Sequence, residues 1–241
     1  MRQPPVAGPG DWARGLRAVA RPRADARQAY DRASRWSRVE EPFERQAQAT
    51  GLELLQVQPG ERVFELGCGA GAALVVLVRA AGPAGRVVGL DLSPRMIHLA
   101  AARLRRAGLA QRADLVVADA SAIPFADASF DAVFMSFTLE LFDTPEIPLV
   151  LAQCGRVLRP GGRIGVVSLS RAAPVRWPTR LYERLHDRFP ATLDCRPIHG
   201  RLALEAAGFE QARSKLVPLW GLRAEAVVAV RPAPAPPPPP P

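Results

Sequence analysis

Apolar and polar positions alternate along this chain with two different periods. Short apolar runs at Arg62–Leu66, Arg86–Asp91, Asp114–Ala118, Phe130–Ser136 and Ile164–Leu169 predict strands. Between them, apolar residues at helical spacing predict helices over Ala72–Ala81, Pro94–Ala107 and Pro145–Leu158. Gly82-Pro83-Ala84-Gly85 ends the first of these, and Ser93-Pro94 is the favoured order for starting the second. Strands alternating with helices predict an α/β fold with a parallel sheet. The near-continuous apolar character of the first, second and fifth strands suits burial on both faces.

The flanks follow other patterns. Residues 1–25 are rich in Pro, Gly, Ala and Arg and are expected to form a flexible basic arm. Residues 26–58 are expected to form an N-terminal helical cap: a helical pattern runs from Ala26 to Ala49, and Leu52–Leu55 reads as the end of a short helix closed by Pro59-Gly60. The main domain spans 59–231. Within it, residues 171–200 break the alternation and gather Trp177, Tyr182, His186, Phe189, Cys195 and His199. A helix at Arg201–Ala207 stops at Gly208, and strands follow at Phe209–Pro218 and Ala224–Val230. Residues 232–241 form an extended proline tail.

The stretch Val63-Phe64-Glu65-Leu66-Gly67-Cys68-Gly69-Ala70-Gly71-Ala72 organises the rest. It reads as strand, tight turn, helix. Glycines at alternate positions can take positive φ and let a flat ligand approach the backbone, and the next helix presents unpaired N–H groups. Gly67-x-Gly69-x-x-Ala72 fits a dinucleotide turn. Glu65-x-Gly67-x-Gly69-x-Gly71 describes a different nucleoside site, and a ligand-free glycine connection is the third reading. Asp91 closes the second strand 24 residues after Gly67, where a carboxylate accepts ribose hydroxyls. Both ligand readings want that acid.

Three further segments separate them. Asp119-Ala120 follows the third strand, Pro124-Phe125-x-Asp127-x-Ser129-Phe130-Asp131 leads into the fourth, and Arg156-Val157-Leu158-Arg159-Pro160-Gly161-Gly162-Arg163 precedes the fifth. Together with the glutamate–glycine unit they resemble the class I S-adenosylmethionine (SAM)-dependent methyltransferases, closest to the ubiquinone/menaquinone biosynthesis branch. The resemblance covers residues 30 to 170 in sequence and 200 to 231 by topology. It implies a Rossmann-like, seven-stranded, mostly parallel sheet with an antiparallel last strand and helices on both faces. It implies SAM as cofactor, held by Glu65, Gly67, Cys68, Gly69, Ala70 and Gly71 of the turn. Asp91 and Leu92 would serve the ribose side, Met96, Asp119 and Ala120 the adenine, and Ser136 would sit at the end of the fourth strand. Tyr30-Asp31 resembles a stretch that forms part of a lid over the cofactor in that branch. The quinone enzymes carry F-G-L-R-N after the fourth strand, whereas this chain has Phe137-Thr138-Leu139-Glu140-Leu141.

Composition and charge narrow the picture. Hydrophobic residues make up 48 %, enough for a full core, and no apolar run reaches the length of a membrane span. Three distant cysteines, Cys68, Cys154 and Cys195, form neither a disulfide framework nor a zinc spacing. The basic start lacks the apolar core of a secretory signal, so the cytoplasm is the expected compartment. Of the net charge of +9, residues 1–38 hold +6, nine arginines against three aspartates. Such an arm is expected to be solvated, or to touch an anionic membrane surface peripherally. Without aromatic interleaving or a recognition motif, nucleic acid is not an expected partner. No metal cluster is visible.

The expected chemistry is direct methyl transfer to a small, apolar, quinone-like or lipid-like acceptor, by alignment and exclusion of water. Apolar Phe137, Leu139, Leu141 and Phe142 lean toward such an acceptor, with core packing the equal alternative. A base would help with a phenol or enolisable carbon; the candidates are His186, His199, Tyr182 and Glu140. Segment 171–200 and the helix near Tyr30 are expected to cap the acceptor. The competing functions are an NAD(P)-dependent oxidoreductase and a catalytically inactive SAM-binding module.

Overall fold

A computed structural model describes residues 11–13, 16, 37–171, 182, 184, 195–219 and 221–233. Helix α1 (Ser37–Leu55) precedes strand β1 (Arg62–Leu66). Then come α2 (Ala72–Ala81), β2 (Arg86–Asp91), α3 (Pro94–Arg106), β3 (Ala113–Val117) and β4 (Phe130–Ser136). The chain continues through α4 (Ile147–Val157), β5 (Leu158–Leu169), α5 (Gly200–Ala206), β6 (Glu210–Leu219) and β7 (Leu222–Val230). The strands form one seven-stranded sheet in the order β3-β2-β1-β4-β5-β7-β6. β1 to β5 pair in parallel, and β7 runs antiparallel to both β5 and β6.

Alternation along the strands divides the core between two faces. Phe64 and Leu66 of β1 with Val133 and Met135 of β4 pack against Val150, Leu151 and Cys154 of α4 and Leu204 of α5. Val63, Ala132 and Phe134 pack on the other face against Leu74, Leu77 and Val78 of α2, Leu104 of α3, and Ala47 and Leu55 of α1. Edge strand β6 is blunted against further pairing by Arg213, Ser214 and Lys215 and by a register shift between Glu210 and Arg213.

Two expectations change. The separate short helix at Leu52–Leu55 is the last turn of α1, which runs unbroken through Gly51. A Cβ at Gly51 would lie 2.3 Å from Val167 Cγ2 and 3.2 Å from Phe134 Cε2, so this glycine lets the helix press onto the sheet. Trp12, inside the stretch expected to be loose, is buried with the α4–α5 core. Residues 1–10, 14, 15 and 17–25 of the arm, the Tyr30 segment and residues 234–241 of the proline tail lie outside the described residues.

The motifs before β4 and β5 hold each other. Arg156 donates to the carbonyls of Ile123 (2.8 Å) and Phe125 (2.7 Å) and pairs with Asp127 (2.8 Å). Asp131 accepts from the Arg62 backbone N–H at 2.6 Å and pairs with Arg159. Arg163 reaches across to Glu61 at 2.7 and 3.0 Å and donates to Leu55 O, binding the end of α1 to β5 and to the loop before β1. Burial alone would raise the Glu61 pKa, but hydrogen bonds from Arg163 and the Gln58 N–H bring it below the ordinary value.

Candidate functional site at the carboxyl ends of the strands

Parallel strands β1, β2, β3 and β4 end together, and the turns leaving them form the site, as open α/β sheets arrange it. The glycine turn is held from below: the Gly67 and Cys68 N–H groups both donate to Leu90 O, at 2.8 and 3.0 Å. From the side, Asp91 accepts the Gly69 N–H through Oδ2 (2.9 Å) and the Ser93 N–H through Oδ1 (2.8 Å). Asp91 therefore shapes the turn. A carboxylate has about four acceptor directions, which is compatible with ribose hydroxyls arriving as well.

The glycines do not share one role. A Cβ at Gly67 would meet Thr138 Cγ2 at 2.4 Å, and one at Gly71 would lie 3.1 Å from the Ala100 backbone. Those two serve the approach of the post-β4 loop and of α3. At Gly69, with φ +50°, a Cβ would meet nothing within 4 Å. Gly69 and the adjoining, partly exposed Ala70 thus form the open face of the turn. Cys68 points inward and is 4 % exposed; burial first, and then the charges of Glu65 and Asp91, push its thiol pKa well up. It contributes backbone, not nucleophile.

Beside the turn, Ser93 caps α3 by accepting the Met96 N–H at 3.1 Å, so the partly exposed Leu92 and Met96 flank Asp91. Asp119 accepts the Ser121 N–H at 2.8 Å, which fixes the bend after β3, and Ala120 is buried beneath it. The Ala118 N–H donates to Asp91 O, placing the ends of β2 and β3 side by side.

Two polar atoms stand out at the ends of β1 and β4. Glu65 is 3 % exposed, and its Oε2 is buried without a hydrogen-bond partner; so is Ser136 Oγ. Burial, with the Asp91 charge second, raises the Glu65 pKa well above an ordinary carboxyl. Unpartnered buried polar atoms are costly, and their clustering where a ligand is expected is a functional signal. After Ser136 the chain turns sharply: Phe137 takes φ 50°, its N–H donates to Val167 O at 2.7 Å, and its ring enters the core. A non-glycine in the left-handed region costs about 1 kcal/mol or more and gathers at functional turns.

The acceptor-side candidates fall out differently. Glu140 is fully buried and accepts the Leu169 N–H at 3.1 Å. The Tyr182 hydroxyl donates to Cys195 O at 2.8 Å within segment 171–200. His199 is partly buried, and burial, then the Arg171 charge, lowers its pKa and keeps it neutral. His186 lies outside the described residues. Phe137 and Leu139 are core and do not line an acceptor site, while Leu141 and Phe142 are partly exposed. Missing from the sequence analysis is Arg196, 2 % exposed, which donates to Glu140 O (3.3 Å), Phe142 O (2.6 Å) and Thr144 Oγ1 (3.0 Å). A single arginine in a variable stretch gave no signal of this. Among the described residues no cluster could hold a metal, the cysteines are free, and no helix is long and apolar enough to cross a membrane.

The comparisons with known proteins agree with this geometry. Residues 63–162 match the family model described as a methyltransferase domain. The demethylmenaquinone methyltransferase of Lactobacillus johnsonii is 35 % identical over 117 residues, 48 % of this chain and 47 % of that protein. The nocamycin O-methyltransferase of Saccharothrix syringae is 33 % identical over 181 residues, 67 % of this chain and 64 % of that protein. The chain thus spans about half the length of the quinone-type relatives it matches. A SAM-dependent methyltransferase structure from Aquifex aeolicus aligns with a TM-score of 0.56 at 21 % identity, covering 76 % of this chain and 88 % of that one, which establishes the shared fold.

Proposed function

We propose that this chain, which belongs to the class I SAM-dependent methyltransferases and stands close to the quinone-biosynthesis branch, binds SAM over its glycine turn and methylates a small organic acceptor. The observation that carries this is the open face at Gly69, bordered by Asp91 and Asp119 and backed by the unpartnered Glu65 Oε2 and Ser136 Oγ. The residues present fit the cofactor. Acceptors at Asp91 suit ribose hydroxyls, and Asp119 suits an exocyclic amine. Glu65 is a buried carboxyl raised in pKa with no cation beside it, and a positively charged ligand relieves that cost. A dinucleotide has no comparable use for Glu65.

Bound SAM supplies an electrophilic methyl group on a sulfonium. The chain's own residues then have to position the acceptor and exclude water. Thr138, packed on Gly67, and the turn at Phe137 set the wall between the cofactor side and the acceptor side. Arg196 holds the loop 140–144 that continues this wall. We assign His199, whose burial favours the neutral ring, to accept a proton from an acidic acceptor. The acceptor class is a phenol- or quinol-type small molecule. The match to an O-methyltransferase covers more of this chain than the quinone enzymes do, and Glu140 departs from the arginine that the resemblance to the quinone branch implies.

Calorimetric titration of SAM, S-adenosylhomocysteine and NADH tests the cofactor, and transfer of labelled methyl from SAM to a prenylated naphthoquinol and to a set of simple phenols tests the acceptor. Binding of both adenosyl ligands but not NADH, with transfer to one of the probes, is the expected result. NADH binding alone would replace the methyltransferase with an oxidoreductase; tight SAM binding with no transfer to any probe would favour a binding module.

A further inference from the structure

Away from the site, the charge distribution contains a second pattern. Residues 72–112 carry seven arginines, at 79, 86, 95, 103, 105, 106 and 112, and one acid, Asp91. Asp91 is turned into the glycine turn. Arg86 and Arg112 donate to the backbone carbonyls of Gln111 and Val78, while Arg79, Arg95, Arg105 and Arg106 are exposed. The outer surface of α2 and α3 is therefore a folded basic face without an acid of its own, separate from the N-terminal arm.

An apolar groove of about 920 Å³ runs over α2 between α1 and α3. Leu52, Val75, Val76 and Leu77 line it, and Val76 stands 45 % exposed. Arg45 of α1 and Arg103 and Arg106 of α3 stand along it, against one acid among the described lining residues, Glu53. Its lining includes Ala72, the residue after Gly71, so the groove reaches the cofactor turn.

We propose that this face docks on an anionic lipid bilayer, with the arginines on headgroup phosphates and the groove taking hydrocarbon. Apolar floor and cationic rim together match an anionic amphiphile: each part alone fits many partners, and both fit a lipid surface. A nucleic acid would engage the arginines but gain nothing from the floor, and among the described residues no aromatic side chain lines the groove to stack a base. The inference does not depend on methyl transfer, although a membrane-docked face beside the cofactor turn would suit a lipid-like acceptor.

The test is co-sedimentation of the full chain with phosphatidylcholine vesicles, with and without phosphatidylglycerol, at about 0.1 M salt. Binding is expected only with phosphatidylglycerol. Arg45→Glu combined with Arg106→Glu should weaken it about tenfold or more, because each arginine near an anionic surface strengthens partition roughly fivefold. Val76→Asp, at a half-exposed position, should weaken it as well, with thermal melting measured alongside as the control for folding. The arm is present in every variant, so parental binding by both would assign the contact to the arm and overturn the proposal. Absence of binding by the parent overturns it too, as would tighter binding of duplex RNA abolished by the same arginine changes.

Discussion

The cofactor side and the acceptor side of this sheet are built by different means. Around the glycine turn, most polar side chains reach backbone groups nearby in sequence: Asp91 to Ser93, Asp119 to Ser121, Ser93 to Met96, and Asp91 to Gly69 at 22 residues, with Thr138 to Gly67 O, 71 residues apart, the long exception. On the acceptor side the fastenings are long. Arg196 holds carbonyls and a hydroxyl 52 to 56 residues away, and Glu140 accepts from a strand 29 residues on. A site made of local turns can be kept while the material across from it changes. The lesson is that one side can be held constant for one cofactor while the other is redrawn for different acceptors.

The largest effect should come from breaking the acceptor side. Arg196→Ala takes the donor from one buried and two half-buried acceptors, and at roughly 1 kcal/mol or more each this destabilises by about 3 kcal/mol or more. Chemical denaturation measures it, and Arg196→Lys should recover part. An unfolding midpoint equal to the parent's would remove Arg196 from the scaffold. The matching break on the cofactor side is Asp91→Ala, expected to weaken SAM binding about 100-fold, the loss of two charge-assisted hydrogen bonds at roughly 1.5 kcal/mol each. Calorimetry reads it; unchanged affinity would show that Asp91 holds only the turn. If the two sides are independent, the double variant should be additive in stability.

Smaller changes sharpen the contrast. Gly51→Ala drives a methyl group into Val167 and should cost about 1–3 kcal/mol, seen as a lowered melting temperature. A neutral result would mean that α1 shifts off the sheet freely. Glu65→Gln probes the raised carboxyl. Because the folded-state pKa lies above the unfolded one, the ligand-free protein is most favoured below the ordinary glutamate range and loses stability as pH rises through the elevated value. The glutamine variant should lack that loss, so its melting temperature should exceed the parent's at neutral pH while its SAM affinity falls. A parental pH profile in the variant would place the titration elsewhere. Glu61 carries the opposite sign: its lowered pKa gives stability above the ordinary range that disappears as pH falls through the lowered value.

Much of this molecule was legible before its tertiary structure. The boundaries of β1, α2, β2 and β4 coincide with the expected ones, because apolar runs and glycine or proline stops are local signals. The acids at Asp91 and Asp119 were legible as well, since position at a strand end implies their direction. The reasons behind some motifs were not. The Arg156 and Asp131 motifs fasten α4 to the loop before β4 and β4 to the start of β1.

By itself, the sequence determined the strand–helix alternation, the glycine turn and the chemistry of the groups around it, because each depends on neighbours within a few residues or on the period of one element. Only the tertiary structure decided that Gly51 lies mid-helix, that Phe137 and Leu139 are core, that Glu65 and Ser136 leave buried atoms unpartnered, and that Arg196 clamps the loop after β4. Those facts depend on which distant surfaces meet and how closely, and neither residue type nor spacing carries that information.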